Sequence, residues 1–434
     1  MLALPALSAL FVASLSLELV HAHNPHHHNL AKRQTASGTT ATSSATSAAT
    51  TSGTVPASSG TVPVSSGAAA ATTPITSGMP AGAAPTLRTT FAAGATPSYS
   101  GAPALPTAFV FSSADWPLLD KVPPTDSPQV KEWMKELDGV DIPDLDPTVG
   151  DATCEENPAA SKDAAARGWW TCGHYVADTD VVSCPDKLTW GISFDDGPST
   201  YTPKVLNFLD DHDLHATFFV VGSRVVSNPE MLRTEYMSGH EIAVHTWSHH
   251  ALTTMTNEQI VAELGWTRHA IQKVIGVTPT LMRPPRGDID NRVRAISNAM
   301  GLKPVIWTNG PAGPFDTNDW RVEDGSIANG EVQFGVFQSL LGNATLIDTG
   351  FIVLEHDLFE TTVDLAVGYT LQSALSHNPA FKLKAIGECL AIPTFDLYQE
   401  TAVTKITNST GGNKNSSGAA NDTSPPHAQT HVAR

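Results

Sequence analysis

From Lys187 onward, blocks of unbroken apolar residues alternate with blocks whose apolar positions recur at helical spacing. "LTWGISF" reads as a strand, and "PKVLNFLDDH" as a helix with proline in its first turn. "ATFFVVG" is a second strand, "PEMLRTEYMSG" a helix stopping at Gly239, and "EIAVH" a third strand. "TNEQIVAELGWTRHAIQKVIG" is a long helix with Thr256 as N-cap and Gly276 as C-cap. The strand "TLMRPP", the helix "DNRVRAISNAMG" and the strand "KPVIWT" follow. After a loop come a helix around Val332 to Leu341, the strand "FIVLEHD", the helix "VDLAVGYTLQSALS" and the strand "FKLKAIGECL". Strands apolar along their whole length, separated by helices, predict a parallel sheet covered on both faces. About seven such repeats over roughly 200 residues predict an α/β fold, a distorted (β/α) barrel of about seven parallel strands. Such barrels carry active sites at the C-terminal ends of their strands.

Outside this block the pattern fades. Residues 34–105 are almost entirely Ser, Thr, Ala, Gly and Pro. That composition predicts a disordered stalk, since it buries too little apolar surface to offset the entropy of ordering, and Ser/Thr with Pro suits O-glycosylation. Residues 106–186 are transitional, with "PQVKEWMKELDG" as one short helix, and read as an extension packing on a globular domain over 187–392. A polar tail, 405–434, carries sequons at Asn408, Asn415 and Asn421; another lies at Asn343. The tail ends in "PPHAQTHVAR", with no hydrophobic lipid-anchor signal. Residues 1–22 have the length and apolarity of a secretory signal, too short and broken for a membrane span. The His-rich stretch 23–33 ends in Lys32-Arg33 and reads as a propeptide rather than a metal site.

The formal charge of -18 argues against binding nucleic acid through its phosphates and leaves neutral or cationic partners. Four cysteines, Cys154, Cys172, Cys184 and Cys389, are an even number in a chain read as secreted, and three pairings are possible. Their spacing is too wide for a zinc ribbon, which favours two disulfides. The expectation is a local Cys172–Cys184 bridge and a Cys154–Cys389 bridge joining the start and end of the globular part.

The unusual polar residues all fall where predicted strands end. Asp195 and Asp196 end the first, and His245 and His249 of "HTWSH" follow the third. Arg283 of "RPPRG" ends the next, and Asp316, Asp319 and Trp320 lie in the loop after "VIWT". His356 and Asp357 end "FIVLEHD". Each has a plain alternative. The aspartate pair suits a cap for the 203–213 helix. Two histidines four apart share one face of a helical turn whether or not they bind anything. "RPP" is an ordinary turn signal, and "EHD" suits a core histidine with a local carboxylate. Coincidence at one rim is what separates the functional reading from five accidents. Two neutral imidazoles and one carboxylate make a three-ligand site with an open fourth position, as in catalytic zinc sites. A cation also makes two adjacent carboxylates tolerable. For both to serve one site the chain must bend, and Gly197 is expected to allow it.

These five motifs, in this order across roughly 187–390, resemble the polysaccharide deacetylase family (carbohydrate esterase family four), and within it fungal chitin deacetylases. The resemblance implies Asp195 as general base, with Asp196, His245 and His249 as ligands of a divalent metal, zinc first and cobalt or manganese as alternatives. It implies Arg283 orienting the base, Asp319 supporting His356 as general acid, and Trp320 and Leu354 walling an acetyl pocket. Arg286 stands where the family often has Tyr, but the backbone N–H is what serves as oxyanion donor, so the substitution bears on sugar contacts more than on catalysis. The implied activity is removal of N-acetyl groups from chitin or chito-oligosaccharides by a secreted, monomeric cell-wall hydrolase acting on amide bonds. Dibasic processing resembles that of the fungal secretory pathway. An O-acetyl esterase on xylan or another glycan uses the same site chemistry, and a non-catalytic wall mannoprotein is the reading from another class. Trp169 and Trp170 of "RGWWTCG" read equally as a sugar platform or a packed strap.

Overall fold

The structure, a computed structural model, describes residues 86–99, 101–323, 325–326 and 330–402. The expected signal, propeptide and glycosylated tail lie outside these residues, as does the stalk as far as residue 85. The strands are β1 (Thr189–Asp195), β2 (Thr217–Val220), β3 (Glu241–Val244), β4 (Leu281–Met282) and β5 (Lys303–Pro304), then the small hairpin β6 (Asn309–Gly310) and β7 (Gly313–Pro314), and finally β8 (Phe351–Ile352) and β9 (Lys382–Ala385). Seven form one sheet in the order β5-β4-β3-β2-β1-β8, with β9 also pairing β1, and every pair in it is parallel. Between β5 and β8 the gap is bridged by a loop, through Thr308 N–H donating to Ile352 O (3.0 Å) and a bridge between Asp316 and Leu354. This is the distorted seven-stranded barrel that the sequence pattern predicts.

All seven residues of β1 are buried, which explains its unbroken apolar pattern. Trp190 packs on Phe337 of the helix Gly330–Ala344, and Phe194 stacks on Phe218 of β2. The long helix Asn257–Ile275 has Thr256 as N-cap, in a capping box with Gln259, and stops at Gly276 in the left-handed conformation, as expected. The last segment differs. "FKLKAIGECL" is a strand only over Lys382–Ala385, after which Ile386–Cys389 turns into a helix. Glu241 accepts from the N–H groups of Gly387 (2.7 Å) and Glu388 (2.9 Å), satisfying the donors of that first turn.

Two boundaries move. The stalk was expected to run to residue 105, but Leu87, Phe91, Ala95 and Tyr99 pack against the core and Leu105 is buried in it. Scattered large apolar residues in an otherwise small-residue stretch supply the burial that pure Ser/Thr/Ala sequence lacks. At the other end Tyr398, beyond residue 392, is fully buried and its hydroxyl accepts from Ile242 N–H (3.1 Å).

The disulfides are Cys154–Cys172 and Cys184–Cys389, not Cys172–Cys184 and Cys154–Cys389. Cys184 lies just before β1, and Cys389 lies in the helix directly after β9. Because β9 pairs β1, topology brings these two together. Cys172 belongs instead to a strap over the barrel rim, where Cys154 meets it. A long bridge does close the domain's start on its end, through the other cysteine.

Candidate active site

The opening of the barrel is a cleft of about 200 Å³ bordered by Asp195, Asp196, His245, His249, Leu354 and His356, with Arg286 and Trp320 also on its wall. The two aspartates divide at the end of β1. Asp195 is still in the strand, and its backbone pairs both with β2 and with the segment holding His356. Asp196 has φ 78°, a left-handed conformation that turns its carboxylate to the same side as that of Asp195. The bend expected at Gly197 therefore sits one residue earlier. Gly197 serves a different need, because a Cβ there would lie 2.5 Å from both carboxylate oxygens of Asp357. Nor does the pair cap the next helix, since Tyr201 occupies the N-cap of Thr202–Asp211.

Asp195 Oδ1 accepts from Arg283 Nη1 at 2.6 Å, an ion pair with both side chains buried. The guanidinium lies 4.0 Å over the Phe219 ring, which fixes its plane. Asp196 Oδ1 is 3.3 Å from His245 Nε2 and 3.0 Å from His249 Nε2. Yet this oxygen has no aligned hydrogen-bond partner among the described residues. Three lone-pair donors converge on one point without bonding each other, as a shared cation requires, and their ligand atoms all lie within 4.8 Å. Burial, opposed by Asp196, lowers the His249 pKa to about 3, keeping the ring in the neutral form that ligates. The residues present thus fit a divalent metal.

Their convergence is not helical. Residues 245–249 form a bend, with Thr246 at φ 64° and His249 at φ 59°. A helical turn would be stopped by these angles, so the four-residue spacing works here through a folded loop. Glu263, buried in the long helix, holds that loop by accepting from Trp247 N–H (2.7 Å) and Ser248 N–H (2.9 Å). His245 Nδ1 bonds Arg283 O at 2.7 Å, which aims Nε2 at the site. Arg224 donates to Asp196 O at 2.7 Å. Glu263 and Arg224 were not foreseen. In the sequence they are ordinary charged helix residues with no local mark.

Opposite, His356 Nδ1 donates to Asp319 Oδ1 at 2.6 Å, and His356 N–H to Asp319 Oδ2 at 2.9 Å. Its carboxylate partner is thus 37 residues away, not local. Burial disfavours the imidazolium, but Asp319, with the charges of Asp196 and Asp195 beside it, outweighs burial and raises the His356 pKa to about 10. Arg286, at φ 59°, lies on the cleft wall with its side chain turned outward to Asp151 (3.1 Å). Of the paired tryptophans, Trp169 is fully buried with Nε1 donating to Asp288 (2.8 Å), a packed strap, whereas Trp170 reaches the cleft. Asn343 is half-buried in a helix. Among the described residues no helix is long and apolar enough to cross a membrane.

A parallel α/β barrel whose rim joins an Asp-His-His metal cluster, an arginine-held carboxylate and a carboxylate-held histidine is built for metal-assisted hydrolysis. Residues 183–305 match the family model described as polysaccharide deacetylase. The chain is 52% identical over 346 residues to chitin deacetylase 1 of Cryptococcus neoformans var. grubii, covering 78% of this chain and 72% of that one. It is 33% identical over 275 residues to a chitin deacetylase of Amylomyces rouxii, covering 60% and 63%. Among solved structures, the chitin deacetylase of Colletotrichum lindemuthianum aligns at TM-score 0.45 and 24% identity, over 52% of this chain and 97% of that one. The chain belongs to the polysaccharide deacetylase family.

Proposed function

We propose that this protein hydrolyses N-acetyl groups of chitin or chito-oligosaccharides, releasing acetate and leaving glucosamine residues. The observation that carries the reaction is the meeting, in one cleft, of Asp195 on Arg283 and His356 on Asp319 across the Asp196-His245-His249 cluster. The substrate rests on the relatives named chitin deacetylases.

A divalent cation held by Asp196, His245 and His249, with zinc best suited to the His2Asp set and cobalt or manganese also accommodated, supplies Lewis acidity and lowers the pKa of water. Asp195, held and oriented by Arg283, accepts the proton of the attacking water. The Arg286 N–H donates to the oxygen of the acetamide carbonyl as it becomes tetrahedral, an effect worth roughly 3 kcal/mol per donor. His356, cationic at neutral pH through Asp319, hands its proton to the nitrogen as the C–N bond breaks. Leu354 and Trp320 border the cleft and suit the acetyl methyl. An amide expels a poor leaving group, so acid and base are both needed. We further read the enzyme as secreted to the cell wall and acting as a monomer. Two disulfides support an oxidising compartment.

Acetate release from the N-acetylglucosamine hexamer, before and after chelation and zinc restoration, tests this directly. Zinc-dependent release that falls about 10²- to 10⁴-fold in Asp195→Asn is expected. A folded, zinc-loaded protein that cleaves acetylxylan but not the hexamer overturns the amide reading.

A further inference from the structure

The mechanism leaves part of the cleft unused. Leu354 and Trp320 suffice to hold an acetyl group, but Trp170, Thr171, His174 and Trp307 also line the opening. Three of these come from a strap that precedes β1 and lies outside the matched region 183–305. We propose that this strap, residues 168–176, forms the wall of an additional sugar subsite, with Trp170, Thr171 and His174 meeting the saccharide next to the one deacetylated. The proposal rests on the deacetylase reading and specifies which polymer contact extends it.

First, the strap is fixed. Cys172 is bridged to Cys154 with Cα atoms 5.7 Å apart. Asp288 Oδ1 accepts from both Trp169 Nε1 and Thr171 Oγ1, each at 2.8 Å. Arg294 donates to Gly168 O (2.5 Å) and Tyr175 O (3.0 Å). Asp288 lies two residues after Arg286, so these bonds tie the strap to the loop that carries the proposed oxyanion donor. A wall held at these points loses little freedom on binding, which favours contact residues over a loose covering loop.

Second, its chemistry suits a pyranose. Trp170 meets Trp307 edge-to-face at 4.7 Å and His174 at 4.8 Å, giving an aromatic corner. Gly287 makes room for it, since a Cβ there would lie 2.5 Å from the Trp170 ring. His174 and Thr171 add polar atoms at its edge, and His174 is exposed. Apolar ring faces with a few polar groups at the rim match the CH faces and equatorial hydroxyls of a β-linked sugar.

His174→Ala removes an exposed side chain and is expected to fold. It should lower kcat/KM for the hexamer about three- to tenfold, the scale of one aromatic contact, mainly through KM. The loss should be smaller on the N-acetylglucosamine disaccharide, which reaches fewer subsites. Trp170→Phe, which leaves a smaller aromatic ring in the same place, should lie between wild type and His174→Ala. Hexamer titrations followed by tryptophan fluorescence, with each variant also carrying Asp195→Asn, give binding without turnover. Weaker hexamer binding in both variants supports the subsite. An unchanged hexamer Kd and an unchanged hexamer-to-disaccharide ratio in folded His174→Ala overturn it. If wild type binds hexamer but releases no acetate, the deacetylase reading fails, and the fluorescence titration still decides the subsite.

Discussion

Replacing Asp319 by Asn tests the proton donor with minimal change of shape. Asp319 grips His356 twice, at Nδ1 (2.6 Å) and at the backbone N–H (2.9 Å). An asparagine retains the size and one acceptor but not the charge. Moving His356 from 6.5 to about 10 corresponds to roughly 5 kcal/mol in favour of the imidazolium, at about 1.4 kcal/mol per tenfold change. Without the charge, burial is the largest influence left, and it favours the neutral ring. Acetate release at pH 8 should fall about 10²- to 10⁴-fold. The alkaline limb of kcat/KM, expected near the His356 pKa, should move towards lower pH. Stability gives a second readout. The folded pKa is raised, so the pair's contribution is full below about 6.5 and is lost as pH rises towards about 10. The stability gap between wild type and Asp319→Asn should therefore shrink between pH 7 and 10. An Asp319→Asn enzyme within threefold of wild type with an unmoved alkaline limb, while His356→Ala is inactive, would refute the assignment of Asp319 as the group that keeps the acid charged.

Two further tests probe the frame around the site. The Cys184→Ser/Cys389→Ser pair opens a link across 205 residues and should cost about 5 kcal/mol by chain entropy, against about 3 kcal/mol for Cys154→Ser/Cys172→Ser across 18. Urea midpoints measure both, and the reverse order would contradict the pairing's topological role. Gly197→Ala places a methyl 2.5 Å from the buried Asp357 carboxylate, which is held by Thr202. It should lower stability by roughly 1–3 kcal/mol and cut acetate release at least tenfold. A wild-type melting temperature and rate would show that the β1 turn relaxes freely.

The reach of the sequence followed the length scale of each interaction. Strand and helix blocks are local periodicities, so β1, the capped Asn257–Ile275 helix and the parallel sheet were all legible. The site residues were legible for a related reason. A barrel puts every strand's C-terminus at one rim, so residues far apart in the chain converge without any contact having to be known. Asp195, Asp196, His245, His249, Leu354 and His356 line one cleft, with Arg283 and Asp319 directly behind it. Interactions lacking a periodic mark did not follow. Nothing near Glu263 distinguishes it from a surface carboxylate, and nothing near Asp288 reveals that it holds Trp169, Thr171 and Thr253 together. Disulfide partners failed likewise. Pairing by proximity in sequence favoured Cys172 with Cys184, whereas the β1–β9 pairing decided for Cys389.

Backbone conformation was the other hidden variable, and it explains how adjacent aspartates divide their work. In an extended strand the two carboxylates would face opposite sides. A left-handed residue at Asp196 brings the second one round, leaving Asp195 in the sheet against Arg283. The same device recurs at Thr246 and His249 for the histidines, and at Arg286 for the proposed oxyanion donor. Each such non-glycine residue costs roughly 1–3 kcal/mol and persists only where its surroundings over-determine it. Those surroundings are the unforeseen residues: Arg224 bonding Asp196 O, and Glu263 gripping the histidine loop. Two of the three candidate ligand positions, Asp196 and His249, thus lie in strained backbone, and the charged groups of Arg224 and Glu263 behind them hold the strain. Substitution of those supports should therefore spoil the cluster's geometry while every ligand remains in the sequence.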